Sequence, residues 1–197
     1  MVDSTAHNTY SSVIENLSVR LVFLAAAHQG LTIMTGDIGN AFPTAPCAEK
    51  VWSRCGPEFG KQEGAIVTLA RALYSLKTAS KSFHEFFGDC LRRMGFQPSK
   101  ADQDLWYIKA TDHNGYDYIA THVDDIAIAA LRPAKYMDLI EQEFMVRNME
   151  DSPLYYLGND LKFQGDRTHI SNKTYVKETL RKYQEGFQTL PKRKVPM

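Results

Sequence analysis

The chain has 197 residues, 44% of them hydrophobic and 23% charged, and its 23 basic side chains balance 23 acidic ones. That length suits one domain with a sizeable core, and the 10 Phe, 10 Tyr and 2 Trp exclude disorder of the whole chain. Zero net charge excludes nucleic-acid binding by bulk charge and leaves only a local basic face, while no apolar run approaches the roughly 20 residues of a membrane span.

Met1 to Asn8 is polar and lacks the charged-then-apolar order of a secretory signal. Cys47, Cys55 and Cys90 are odd in number and lack Cys-x-x-Cys spacing, which argues against a disulfide framework and a zinc site. A soluble, reducing, intracellular setting is expected. The first predicted element is a helix from about Ser12 to Gln29, opened by a Ser12/Glu15 capping box. Its apolar stripe reads Ile14, Leu17, Leu21, Leu24 and His28, and Gly30 stops it. Strand-like runs follow at Leu31–Met34, Lys50–Ser53 and Ala65–Ala70. A second helix covers about Ser80 to Met94 on a stripe of Phe83, Phe86, Phe87, Cys90, Leu91 and Met94, ended by Gly95.

Leu105–Lys109 and Tyr116–Val123 read as strands joined by a turn containing Asn114-Gly115. Ile126–Ala130 follows after two residues, so a second hairpin is expected. Pro133 suits the first turn of a helix reaching Phe144. Strands at Leu154–Phe163 and about Thr168–Ser171 flank a Gly165-Asp166 turn. A last helix runs from about Lys173 to Gln184, with Tyr175, Val176, Thr179, Leu180 and Tyr183 on one side and Gly186 closing it. Helices interleaved with antiparallel hairpins make an α+β domain.

Two features carry chemistry. Asp124 and Asp125 interrupt the apolar run Tyr118–Ala130, where one unpaired carboxylate is costly and a second beside it more so. An exposed turn solves this blandly, and spacing alone favours that solution; a divalent cation would instead turn the repulsion into a shared ligand set. Similarly, the apolar run from Leu31 ends at Asp37 before a Gly/Asn turn and Ala41-Phe42, either as a turn Asp with a core Phe or as a third carboxylate of a two-metal site. His7, His28, His84, His113 and His169 show no metal-ligand spacing.

Taken in order, six segments resemble the reverse transcriptase of copia-type retrotransposons. Asp37-Ile-Gly-Asn-Ala-Phe42 is similar to the family's Asp-Val-x-x-Ala-Phe, and Leu73-Tyr-Ser-Leu-Lys-Thr-Ala-Ser80 to its Leu-Tyr-Gly-Leu-Lys-Gln-Ala-Pro. Gly95-Phe-Gln-Pro-Ser-Lys-Ala-Asp102 resembles Gly-Phe-x-x-Ser-x-x-Asp, and His122-Val-Asp-Asp125 resembles the Tyr-Val-Asp-Asp box. Leu154-Tyr-Tyr-Leu-Gly158 and Ile170-Ser-Asn-Lys-Thr-Tyr175 are similar to the downstream Leu-Gly and Ser-Gln-x-x-Tyr segments.

The resemblance implies a polymerase-type palm, an antiparallel sheet flanked by helices, with a partial fingers region. One domain fragment spans 1–197, palm-like over about 11–35 and 71–197 and fingers-like over 43–70. It implies RNA-directed DNA polymerase activity by two-metal nucleotidyl transfer to a primer 3′-hydroxyl. Asp37 and Asp124 would be the main ligands of two Mg2+ ions (Mn2+ a possible substitute), with Asp125 assisting. Phe42 would be the steric gate against a ribose 2′-hydroxyl, with Ile38, Tyr74, Ser75 and Lys77 also at the nucleotide and Arg71 and Lys81 on nucleic acid. Lys192-Arg-Lys194 could touch the template–primer backbone, although a basic tail is more often solvated. Partners would be an RNA template, a DNA primer, deoxynucleotides and the polyprotein's RNase H and integrase segments, with no membrane, in a cytoplasmic particle or the nucleus. Ser75 replaces the motif's Gly, Thr78 and Ser80 its Gln and Pro, and His122 its Tyr; Ser12 falls where Ser-Pro-Val has Pro. The family's basic fingers strand has no counterpart in Met1–Tyr10, so a palm with part of the fingers, cut from a polyprotein or left by a decayed element, is expected. The rival reading is a non-catalytic palm descendant serving as a binding or scaffold module; an unrelated metal-dependent hydrolase ranks below both.

Overall fold

The computed structural model describes residues 9–164 and 167–186. A six-stranded antiparallel sheet forms its centre, in the order β4 (Gln97–Pro98), β5 (Leu105–Lys109), β6 (Tyr116–His122), β7 (Asp125–Ala130), β1 (Thr32–Ile38), β8 (Val146–Asp151). Helices α1 (Asn16–Gln29), α3 (Ala79–Arg93) and α4 (Pro133–Glu141) cover it, and the α+β expectation holds.

Strand β7 shows how the sequence sets the two layers. Ile126, Ile128 and Ala130 point into a cluster with Phe83, Phe87, Leu91 of α3 and Met137, Ile140 of α4. Ala127 and Ala129 point the other way, joining Ala120 beneath Val19, Val22, Phe23 and Ala26 of α1. Bulky residues fill one face and methyl groups line the other, so α1 can lie close on the sheet. That is why α1 buries Ser18, Val19, Val22, Phe23 and Ala26. Of the expected stripe, Ile14 is buried in the α1-side cluster, but Leu17, Leu21 and Leu24 are 63%, 51% and 64% exposed. The helix is apolar around most of its circumference, so periodicity could not choose the face.

The capping box also fails. Glu15 holds the N-cap position without a side-chain cap, its N–H donates to Asp102 Oδ2 at 3.0 Å, and Ser12 Oγ lies 3.4 Å from His84 Nε2. Gly30 ends the helix as expected, at φ 67°.

Other expectations shift. The helix after Pro133 stops at Glu141 rather than Phe144. The strand expected over Leu154–Phe163 divides into β9 (Tyr155–Tyr156) and β10 (Asn159–Gln164), because Leu157 and Gly158 turn at φ 44° and 79°. The Asn159 amide fixes that turn by donating to the Tyr156 and Leu157 carbonyls. With β11 (Arg167–Ser171) these strands form a second sheet, followed by α5 (Lys173–Gly186). Four elements had no expectation at all: a one-turn helix α2 (Ala41–Thr44), a 3-10 segment over Pro57–Gln62, the short strand β4 and the edge strand β8. The Gly165-Asp166 turn, His7 and Lys192–Lys194 lie outside the described residues.

Between α2 and α3, the runs expected at Lys50–Ser53 and Ala65–Ala70 narrow to β2 (Trp52–Arg54) and β3 (Ile66–Thr68), a two-stranded ribbon with every residue exposed. Glu49 anchors its base, since Glu49 Oε1 accepts from the Thr78 backbone N–H at 2.9 Å and the Thr78 hydroxyl at 2.7 Å. No described helix is long and apolar enough to cross a membrane.

Candidate active site

Strand pairing brings two of the three singled-out carboxylates opposite one another. Asp37, near the end of β1, pairs in register with Asp125, the first residue of β7. The β6–β7 connection is the two-residue turn Val123-Asp124, closed by the His122–Asp125 pair. Ile38 N–H donates to the Asp124 carbonyl at 2.8 Å, locking the turn onto the strand that carries Asp37. Val123 sits at φ 57°, a conformation that costs a β-branched residue roughly 1–2 kcal/mol. Strain of this kind persists where surrounding structure over-determines it.

Asp37 and Asp125 both titrate high. Burial pushes the Asp125 carboxyl up, and the charges of Asp124 and Asp37 push it further, against a downward pull from His122. Burial and Asp124 likewise raise Asp37, opposed by Arg147. Among the described residues the three do not close into a cluster with all ligand atoms within 4.8 Å of one another, as unscreened like charges would dictate. An open cleft of about 490 Å³ meets this edge, lined by Asp37, Asp125, Glu150, Tyr155 and Tyr156 among others.

Arg147 was missed by sequence reasoning, because β8 was missed. It pairs opposite Asp37 across the sheet edge, just past a register shift between Thr35 and Asp37. Gly36 and Gly39 make room there: a Cβ on Gly36 would meet Val146 Cγ1 at 2.7 Å, and one on Gly39 would meet Arg147 Nε at 2.7 Å. A bulge beside bare glycines was the available signal.

The remaining site candidates divide. Phe42, half-buried on α2, stacks at a tilt on Tyr74 with ring centres 4.9 Å apart and meets Phe83 edge-on at 6.3 Å. Ile38 is 1% exposed, so its side chain belongs to the core. Ser75 and Lys77 lie on an exposed turn, with Ser75 at φ 75°. Arg71 donates to the Thr44 carbonyl at 2.8 Å and so ties the ribbon's exit to α2. Lys81 pairs with Glu85 one helical turn on, at 3.4 Å. Behind the turn, His84 Nε2 donates to the buried Asp104 at 2.7 Å, and the Thr121 hydroxyl donates to the same residue. That contact links α3 to the strand leading into His122-Val123-Asp124.

With this geometry in place, the sequence comparisons fall into line. The family described as reverse transcriptase (RNA-dependent DNA polymerase) matches residues 2–190, and the chain belongs to it. Within it, the chain falls with the copia-type retrotransposons. It is 28% identical over 177 residues to the Retrovirus-related Pol polyprotein from transposon RE1 of Arabidopsis thaliana and 27% to that from transposon RE2 of the same plant. Each match covers 87% of this chain and 12% of the relative. A Putative transposon Ty5-1 protein of Saccharomyces cerevisiae is 28% identical over 150 residues, covering 75% of this chain and 46% of that protein. The chain thus spans about 12% of the length of the two plant polyproteins.

Proposed function

We propose that the chain performs RNA-directed DNA synthesis as a polymerase palm, with residues 43–70 as its fingers-like part. The observation that carries this reading is the in-register pairing of Asp37 with Asp125 beside the Val123-Asp124 turn. Asp37 and Asp124 would hold two divalent cations, with Asp125 assisting; the donor set fits, being oxygen-only, and cations would relieve both the burial of Asp37 and Asp125 and the charge of Asp124 that together raise their carboxyls. Such ions, Mg2+ or Mn2+, supply activation of the primer 3′-hydroxyl and neutralisation of the leaving pyrophosphate.

The chain's own residues position the reactants. The locked β6–β7 turn fixes Asp124 against β1. Phe42, held by the Tyr74 ring, presents an aromatic face to the sugar of the incoming deoxynucleotide, while Ile38 supports it from within the core. Ser75 and Lys77 reach the nucleotide side, and Arg71 and Lys81 line the nucleic acid. The substrates are an RNA template, a DNA primer and deoxynucleotides, and the setting is a polyprotein with RNase H and integrase segments in a cytoplasmic particle.

Primer extension on an RNA template with Mg2+ or Mn2+ tests this, with Asp124→Asn beside the parent. Extension by the parent alone supports the reading. Extension that survives Asp124→Asn refutes the two-metal assignment. If neither protein extends while both stay folded by circular dichroism, the chain is a palm-shaped module without polymerase activity.

A further inference from the structure

At the far end of the β5–β6 hairpin, three metal-ligating side chains converge without any part in the site above. Asp112, His113 and Asp117 place one ligand atom each within 4.8 Å of one another. His113 Nδ1 lies 3.2 Å from Asp112 Oδ1 and 3.9 Å from Asp117 Oδ1. We propose that these residues form a second cation site, selective for a zinc-class divalent transition metal, in the loop of this hairpin.

The argument rests first on Asp117. Its side chain is only 4% exposed, and its Oδ1 is buried without a hydrogen-bond partner while facing the imidazole. A buried carboxylate oxygen left unpaired is costly, and a cation is one way to recover that cost. The second ground is the way the other oxygens are held. Asp117 Oδ2 accepts from the Tyr136 hydroxyl of α4 at 2.7 Å, and Asp112 Oδ2 accepts from Arg132 at 3.2 and 3.3 Å. Each carboxylate therefore spends one oxygen on an orienting partner and turns Oδ1 toward the same imidazole nitrogen, the arrangement of ligands fixed from behind.

The spacing suits a small tetrahedral ion. Zinc binds N and O donors at roughly 2.0–2.2 Å, which puts tetrahedral donors roughly 3.3–3.6 Å apart; the observed 3.2 and 3.9 Å bracket that range. One imidazole with two carboxylates favours zinc-class ions over Mg2+ or Ca2+, which prefer more numerous, all-oxygen ligands. Asp112 is at the surface, so water can complete the fourth position. The competing arrangement is an imidazolium held between two carboxylates. His113 Nε2 lacks a partner in either case and does not separate the two.

Zn2+ titration of the full, chelator-stripped chain by calorimetry and by imidazole 15N shifts separates them, independently of polymerase activity. The expected result is one saturable site that shifts the His113 Nδ1 resonance and survives Asp124→Asn. His113→Gln and Asp112→Asn should weaken it by about 100-fold or more, since even outer-shell partners are worth about 10–100-fold. Asp112 is exposed and His113 is only partly buried, so these variants remain informative if Asp117→Asn fails to fold. No saturation at millimolar Zn2+, binding indifferent to His113→Gln, or a His113 ring that keeps both protons in Zn2+ would each overturn the proposal.

Discussion

Gly36 is the residue whose replacement tests how the carboxylate edge is built. Its Cα faces β8 and α4 so closely that a methyl group would lie 2.7 Å from Val146 Cγ1 and 3.3 Å from Met137 Cε. Carbon atoms prefer about 3.5–4.0 Å, so β8 must give by roughly 1 Å. Overpacking of this kind costs about 1–3 kcal/mol, offset by about 0.4–1 kcal/mol from the stiffer unfolded chain. Gly36→Ala should therefore lose a net 0–2.5 kcal/mol or so, centred on about 1.3, lowering the melting midpoint by about 3–5 °C. Val146→Ala removes the obstructing methyl at its own cost, since Val146 is only 9% exposed. In the double variant the two losses should fall short of their sum by about 1 kcal/mol or more, the signature of contacting residues. Urea denaturation of the four proteins measures this cycle. Strict additivity in the double variant would refute the close approach of β1 and β8.

Three further outcomes follow from the site. Asp125 is raised by burial and by two like charges, so its contribution to stability is present below the unfolded carboxyl range and lost as pH rises through the higher folded value. Metal-free Asp125→Asn should therefore melt higher than the parent at pH near 7 and draw level in acid; a lower midpoint at neutral pH in chelator would sink the repulsion argument. Ser75→Gly should stabilise by up to about 1 kcal/mol, because a left-handed non-glycine costs about 1–2 kcal/mol and glycine gives back about 0.5–1 in chain entropy; Ser75 is exposed at φ 75°, so no packing is lost, and an equal gain from Ser75→Ala would contradict this. Arg147→Gln should lift the Asp37 carboxyl, which Arg147 now holds down; carboxyl-carbon NMR titration without metal would show it, and an unchanged Asp37 would deny the pairing across β1 and β8.

What the sequence made legible follows from which physics is local. Hairpins, the helix after Thr78 and the carboxylate turn declare themselves through neighbours in the chain, so α3, β5, β6 and β7 fell close to expectation. The outer and inner faces of α1 did not, because the choice belongs to Ala120, Ala127 and Ala129, about 100 residues away in the chain. Strand β8 reads as six mostly polar residues, exposed beyond Val146, and it is a strand only because the β1 edge offers hydrogen-bonding groups to pair with. Missing it hid Arg147, whose charge opposes the rise that burial and Asp124 give Asp37. His113 was passed over for the same reason. Its spacing to Asp112 and Asp117 resembles no ligand motif, and only the closure of the β5–β6 loop over Arg132 and Tyr136 brings the three donors together. A site whose residues are local but whose orienting partners are distant is visible only once the fold is built. The Asp117 oxygen is of that kind, whereas the Asp37–Asp124–Asp125 edge joins residues far apart in the chain through strand pairing.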